Sequence, residues 1–226
     1  MTQLMELLLV YSNTPLDELN NLLEKELKKF ITSHKEETNK KTRILVQLDK
    51  KNNVELLIEI GTHKKHKYIL FQYPNSYEWK TEKDIITQRK KIHKIYKTLC
   101  KTTSPLIASA GITDYWPPFE KIMTEISQLK IPTQKNPDPK ESEPEEYPIY
   151  SEIGLFLGKE YLQKYKIEKD KLAPLKPQTT KNGMFIDIEK NRGVYITEPD
   201  KKEDKEKYQA WEYLRKKLTE KQPDNT

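Results

Sequence analysis

The chain has 226 residues, of which 35% are hydrophobic and 34% charged, with a formal net charge of +6. Its length and apolar content suffice for a real core and exclude wholesale disorder, and no run approaches the ~20 apolar residues that a bilayer-spanning helix needs. A lone Cys100 cannot form an internal disulfide, which points to a reducing, cytoplasmic compartment.

Met5 to Tyr11 is leucine-rich and reads as a strand; Glu6 before its apolar run and the lack of a basic flank argue against a targeting segment. Thr14 and Pro15 then suit a helix start, with Asp17 and Glu18 at the positive end of the dipole. Leu16, Leu19, Leu23, Leu27, Phe30 and Ile31 recur at helical spacing, which predicts one helix through Ile31, followed by a polar run from Thr32 to Thr42. Arg43 to Leu48, Val54 to Ile60 and Lys67 to Tyr73 read as strands joined by short polar connections, an antiparallel meander. A long helix is expected from Thr81 to Lys101. The order predicts an α+β fold with helices packed on one face of the sheet.

Five prolines between Pro132 and Pro148 forbid a helix or a central strand, so this stretch is expected to be a loop or linker. It divides the chain into an α+β domain, 1–131, and an extension, 149–226, that docks on the first part. The extension reads as a short helix from Gly158 to Lys166, a hairpin pairing Met184 to Ile188 with Val194 to Thr197, and a closing helix carrying Tyr208, Trp211, Leu214 and Leu218. Charge is uneven: there are 22 basic and 16 acidic residues before Ile131, against 19 of each after it. Such asymmetry suits a polyanion partner and equally suits simple solubility.

On the long helix, Lys83, Lys90, Lys94, Lys97 and Lys101 form a stripe opposite Ile85, Ile92, Tyr96, Leu99 and Cys100, while Arg89 falls near the apolar side. With Lys64, Lys65 and Lys67 nearby in sequence, the stripe is the candidate site for nucleic-acid phosphates; its ordinary alternative is a lysine face turned to water. His63 and His66 have the spacing of a metal pair, but no third and fourth ligand accompany them, so no metal site is expected. Asp187, Glu189, Asn191 and Glu198 fall at positions of a calcium loop, yet Arg192 stands where its glycine must be, and a turn is the better reading.

No glycine-flanked serine, nucleotide-binding glycine loop or exposed thiol is present in the pattern, and Cys100 falls on the apolar arc of its helix. Glu78-Trp79-Lys80 with Glu55 and Glu59 sketches a nuclease, a triplet that chance supplies in so charged a chain. The sequence therefore leans away from an enzyme and implies no cofactor. Tyr115, Trp116 and Phe119, beside Pro117 and Pro118, and Tyr147 and Tyr150, beside Pro148, are rigid aromatics of the kind that anchor protein interfaces; the alternative is that they fill the seam between the two parts.

From Leu99 onward the layout resembles intracellular immunity proteins of bacterial polymorphic toxin systems. The resemblance rests on a helix ending at Thr102 to Pro105, the stretch Gly111-Ile-Thr-Asp-Tyr-Trp-Pro-Pro118, the segment Tyr150 to Tyr165, a glycine-led hairpin from Gly183 to Glu198 and a closing helix. It covers about half the chain, carries no diagnostic motif and transfers no residue; this chain also departs from it in being basic. What it implies is stoichiometric binding to a toxin. The expectation is a non-catalytic binding protein with a protein partner, nucleic acid being the alternative.

Overall fold

Leu7, Leu8, Leu9, Val10 and Tyr11 are all buried, a pattern that only a strand covered on both faces produces. They belong to β1 (Leu4–Tyr11), the middle strand of a nine-stranded antiparallel sheet. The computed structural model describes residues 4–28, 30–38, 41–49, 54–73, 82–110, 118–135, 146–148, 154–187 and 202–219. After β1 come α1 (Leu16–Leu27), β2 (Ile31–Glu37), β3 (Lys41–Asp49), β4 (Val54–His63), β5 (His66–Tyr73) and α2 (Glu82–Thr102). Then follow β6 (Ile107–Ala110), α3 (Phe119–Ser127), β7 (Thr133–Lys135), β8 (Glu146–Pro148), β9 (Gly154–Gly158) and α4 (Lys159–Lys164). A 3-10 segment Lys169–Leu175, β10 (Gln178–Thr180), β11 (Gly183–Ile186) and α5 (Lys202–Thr219) complete the order.

The strands lie in the order β10-β11-β9-β6-β1-β5-β4-β3-β2, which makes the fold α+β with an antiparallel sheet. The expected meander is present and longer than read, because β2 adds a fourth consecutive strand at the edge. That corrects the first helix, which stops at Leu27. Phe30 N–H closes a turn onto the Leu27 carbonyl at 2.8 Å, and Ile31 to Glu37 then pair with β3. Ladder hydrogen bonds to a neighbour override the helical spacing of Phe30 and Ile31.

A second correction concerns the sheet's two faces. On one, Leu19, Leu23 and Leu27 of α1 and Ile92, Tyr96 and Leu99 of α2 pack with Leu7, Leu9 and Tyr11. On the other, Ile122, Met123 and Ile126 of α3, Tyr161 of α4, and Trp211 and Leu214 of α5 pack with Leu8 and Val10. Helices thus cover both faces, not one. The hairpin expected from Met184 onward is also revised: β11 is paired on both sides, Phe185 with Phe156 of β9 and with Gln178 of β10. Residues 194–197, its expected partner, lie outside the described residues. Of the Pro132 to Pro148 stretch, β7 and β8 form a separate two-stranded pair, Gln134 opposite Tyr147.

The sheet runs without a break from strands before Ile131 to strands after it, because β6 pairs with β1 on one side and β9 on the other. Gly158 closes that joint. Its N–H donates to the Leu106 carbonyl at 2.9 Å, and a Cβ there would stand 2.6 Å from the same oxygen. Backbone on both sides leaves no flexible group to move aside. Gly158→Ala is therefore expected to lower stability by roughly 1–3 kcal/mol, read as a lower urea midpoint with an unchanged slope.

Candidate functional site

Strand alternation turns Lys41, Arg43, Leu45 and Gln47 of β3, and Glu55, Leu57, Glu59 and His63 of β4, to the face of the sheet that carries Tyr68 of β5. Only the opposite face of these strands lies under α1. Among the described residues, the α3-side core takes side chains from β1, β5, β6, β9 and β11 and none from β2, β3 or β4. This wing of the sheet is the candidate site.

Its centre is Glu59. Tyr68 Oη donates to Glu59 Oε1 at 2.6 Å, Arg43 Nε to Oε2 at 2.7 Å, and Lys41 Nζ reaches Oε2 at 3.4 Å. Gly61 makes the first of these possible: a Cβ at that position would lie 2.6 Å from the Tyr68 hydroxyl, so the ring lies across the glycine to reach Glu59. Burial pushes the Glu59 carboxyl up, but the Tyr68 hydroxyl, Arg43 and Lys41 outweigh it and hold it below the ordinary carboxylate value. Burial and the Glu59 carboxylate together push the Tyr68 hydroxyl far up, so it stays a donor. Arg43 and Lys41 remain 44% and 40% exposed, so the node is anchored from inside and presents cations outside.

Beside the node, Leu45 and Leu57 face each other across the strands, both half-buried, with Gln72 next to Leu57. At the other end Phe119, the first residue of α3, sets its ring 4.8 Å from Tyr68 and 6.1 Å from His63. His63 Nε2 lies 3.5 Å from Glu120 Oε2. Phe119 is thus the one expected interface residue whose side chain is placed, half-buried against the sheet. Tyr115, Trp116 and Tyr150 lie outside the described residues, and Tyr147 is described in β8 by its backbone alone.

The lysine stripe divides. Lys90 and Lys94 are exposed, and so is Lys101, but its Nζ stands 5.8 Å over the Phe185 ring. Lys97 Nζ binds Asp187 Oδ1 at 3.0 Å, with side-chain exposures of 19% and 8%. Lys64 and Lys65 are exposed at the β4–β5 turn and Lys67 is half-buried, on β5. The side chains of Lys83 and Arg89 lie outside the described residues. Asp187, offered as the first ligand of a calcium loop, is thus a partner of Lys97, and the rest of that loop lies outside the described residues. The nuclease sketch divides as well: Glu59 binds Tyr68 and Arg43, while Glu78 and Lys80 are outside the described residues. Cys100 is buried among Tyr11, Tyr96 and Leu99, and burial holds its thiol protonated well above the usual value. Among the described residues no three His, Cys, Asp or Glu side chains converge as metal ligands would. Nor is any described helix long and apolar enough to cross a membrane.

The chain matches no protein-family profile, no curated protein and no solved structure. Sequence reasoning weighed Glu59 only as a metal ligand and missed the node. The available signal was Glu59 at an outward position of an alternating strand, with Gly61 two residues on.

Two expectations follow. Tyr68→Phe strips one donor from a buried carboxylate and should cost about 1.5–3 kcal/mol in urea unfolding. The folded Glu59 carboxyl lies below its unfolded value, so the unfolded chain takes up its proton first. The node's contribution is complete above the ordinary carboxylate range and is lost as pH falls through the folded value; Tyr68→Phe should move that loss to higher pH. Lys97→Met leaves Asp187 without its ammonium and should destabilise by about 3 kcal/mol, whereas Lys94→Met on the exposed face should change stability by less than about 0.5 kcal/mol.

Proposed function

We propose that the protein acts by binding another protein, without chemistry on it, through the strand face of β3 and β4, with Gln72 of β5, which no described helix covers, beside the start of α3. The observation that carries this reading is the make-up of that face. Leu45 and Leu57 form a half-exposed aliphatic pair within a frame of Arg43, Gln47, Glu55 and Gln72, and Phe119 sits at one corner. Apolar centres with a polar rim and an arginine are the common composition of protein interfaces. Arg43 is pre-aligned by Glu59, so less side-chain freedom is lost when a partner engages it. Tyr115 and Trp116 lead directly into Phe119 in sequence and supply further aromatic anchors. The layout resemblance to intracellular immunity proteins suggests a toxin as the class of partner, which would make the activity stoichiometric binding.

Nucleic acid is the weaker alternative. Backbone recognition needs several unpaired cations in a row, and Lys97 is held by Asp187 while Lys101 covers Phe185. Reversing Lys90, Lys94 and Lys97 together would confound loss of contact with loss of fold.

Affinity capture from native extract with the wild type, Leu57→Arg, and the double variant Tyr115→Ala/Trp116→Ala tests the proposal. The expected result is a discrete protein retained by the wild type and weakened by about tenfold or more in each variant, at unchanged thermal midpoint. Undiminished retention by both variants would overturn the interface. Tight binding of labelled DNA or RNA near physiological salt, with affinity falling steeply as salt rises, would replace it with the phosphate reading.

A further inference from the structure

Strands β4 and β5 end on His63 and His66, which face each other across the two-residue turn Lys64-Lys65, where Lys64 takes a left-handed φ of 53°. Both imidazoles lie on the Tyr68 side of the sheet, the side on which α3 begins. His63 holds that helix start directly, its ring edge-on to Phe119 at 6.1 Å and its Nε2 3.5 Å from Glu120 Oε2. His66 is 3% exposed, and neither of its ring nitrogens makes a hydrogen bond of sound geometry. The groups that face His66 are Lys65 and Lys67 on its own strand and turn, His63 on β4, and the Tyr11 backbone on β1. Among the described residues the carboxylate at this end is Glu120, and it stands against His63.

We propose that this histidine pair is an acid-sensitive clasp: in the neutral state it holds the first turn of α3 against the sheet, and protonation of His66 opens it. Among the described residues a buried imidazolium here has lysines on either side and only the Tyr11 backbone as an acceptor, which replaces little of its lost water, so the ring moves out to solvent. Its exit removes the cross-strand neighbour of His63, the residue that meets Phe119. Protonation of His63 works the other way, since it gains attraction to Glu120. Glu120 is 76% exposed, however, and so open an ion pair stabilises little beside the cost of a buried unpaired cation. Opening therefore wins. Burial first, and then Lys65, hold His66 below the ordinary imidazole value of 6.5, so the open form takes up the proton before the closed one. The closed clasp is complete above that ordinary value and is lost as pH falls toward the folded one.

This inference is independent of the partner, because it is read on the free protein. Histidine side-chain NMR titration of the full chain, with amide protection of Lys121 and Ile122, tests it; both amides donate to the Pro118 carbonyl in the first turn of α3, at 2.9 and 3.2 Å. The expected result is that His66 titrates below the ordinary imidazole value. Protection of Lys121 and Ile122 should fall between about pH 7 and pH 5 while that of β1 amides persists. His66→Phe should abolish the fall, and Glu120→Gln should steepen it. His66 titrating at or above the ordinary imidazole value, or protection unaffected by pH, or the same fall in His66→Phe, would overturn the clasp. If His66→Phe does not fold, the wild-type titration of His66 still decides.

Discussion

Leu7, Leu9 and Tyr11 face one core while Leu8 and Val10 face the other, and their strand is bonded along both edges, to β5 and to β6. A strand in that position has no tolerance for a shift in register, since moving by one residue would exchange the two sets of side chains between cores of different shape. Each buried leucine contributes about 1.5–3 kcal/mol on transfer from water, and the strand supplies several in succession. The register also places the carbonyl of Val10 to accept from Leu106 at 2.7 Å, which starts β6 and carries the sheet into the second half of the chain. Tyr11 adds a polar tie inside the apolar layer: its hydroxyl and that of Thr103 are 2.9 Å apart, and Thr103 donates in turn to the Leu99 carbonyl at 2.6 Å. The last turn of α2 is thereby fixed to the central strand.

From that strand outward the two wings differ. Toward β11 both faces are apolar, and the helices beyond are tied to one another through tyrosines. Tyr161 and Tyr165 of the α4 region reach the Lys130 and Leu129 carbonyls after α3, and Tyr213 of α5 accepts from the Glu168 amide. Toward β2 the α1 face is apolar, and the other face is polar around the Leu45–Leu57 pair. The other face carries charges that must satisfy one another within the plane of the sheet, and it does so through a ladder from Glu36 across Arg43 to Glu59 and Tyr68. The edge strand itself is bulged at Thr32 to His34, and its Lys35 is held by Glu24 and Glu37, features that discourage pairing with another strand. For the binding proposed above, this leaves the face of the wing, not its edge, as the surface on offer.

Much of the sheet was legible because burial on one face leaves an alternating pattern, as in Val54 to Ile60, and burial on both leaves an unbroken one, as in Leu7 to Tyr11. What was lost lay where neither signal exists. β2 reads Ile-Thr-Ser-His-Lys-Glu-Glu, an edge strand with no alternating apolar pattern, and its opening residues continue the helical spacing of α1. β6 is four residues of mostly small side chains between Pro105 and Gly111, too short to show a period, although it joins the two halves. The assignment of α3 and α5 to the opposite face from α1 and α2 is not written in any single segment. It follows from the direction in which the chain leaves β6 and β11, a matter of pairing between distant strands. The candidate site was hidden for the same reason, since Glu59, Arg43 and Tyr68 meet only once three strands are in register.

The lysines of α2 show why a helical stripe is an incomplete guide to function. A helical projection sorts residues by angle around one axis and takes the core as lying in a single direction. Here α2 crosses the sheet so that Tyr96 donates to the Gly154 carbonyl at 2.9 Å and the last turns overlie β9 and β11. Lys97 follows Tyr96 by one residue, and the end of β11 comes within its reach, placing Asp187 at the ammonium. Lys101, one turn further on, meets Phe185 in the same strand. Long aliphatic stems let both lysines cover apolar surface while their charges find a carboxylate and a ring face. Lys90 and Lys94, earlier on the helix, have no such strand beneath their side of it among the described residues and are exposed. The same residue type at regular spacing thus does structural work at one end of the helix and solvates the other, and the boundary between the two is set by where β11 ends.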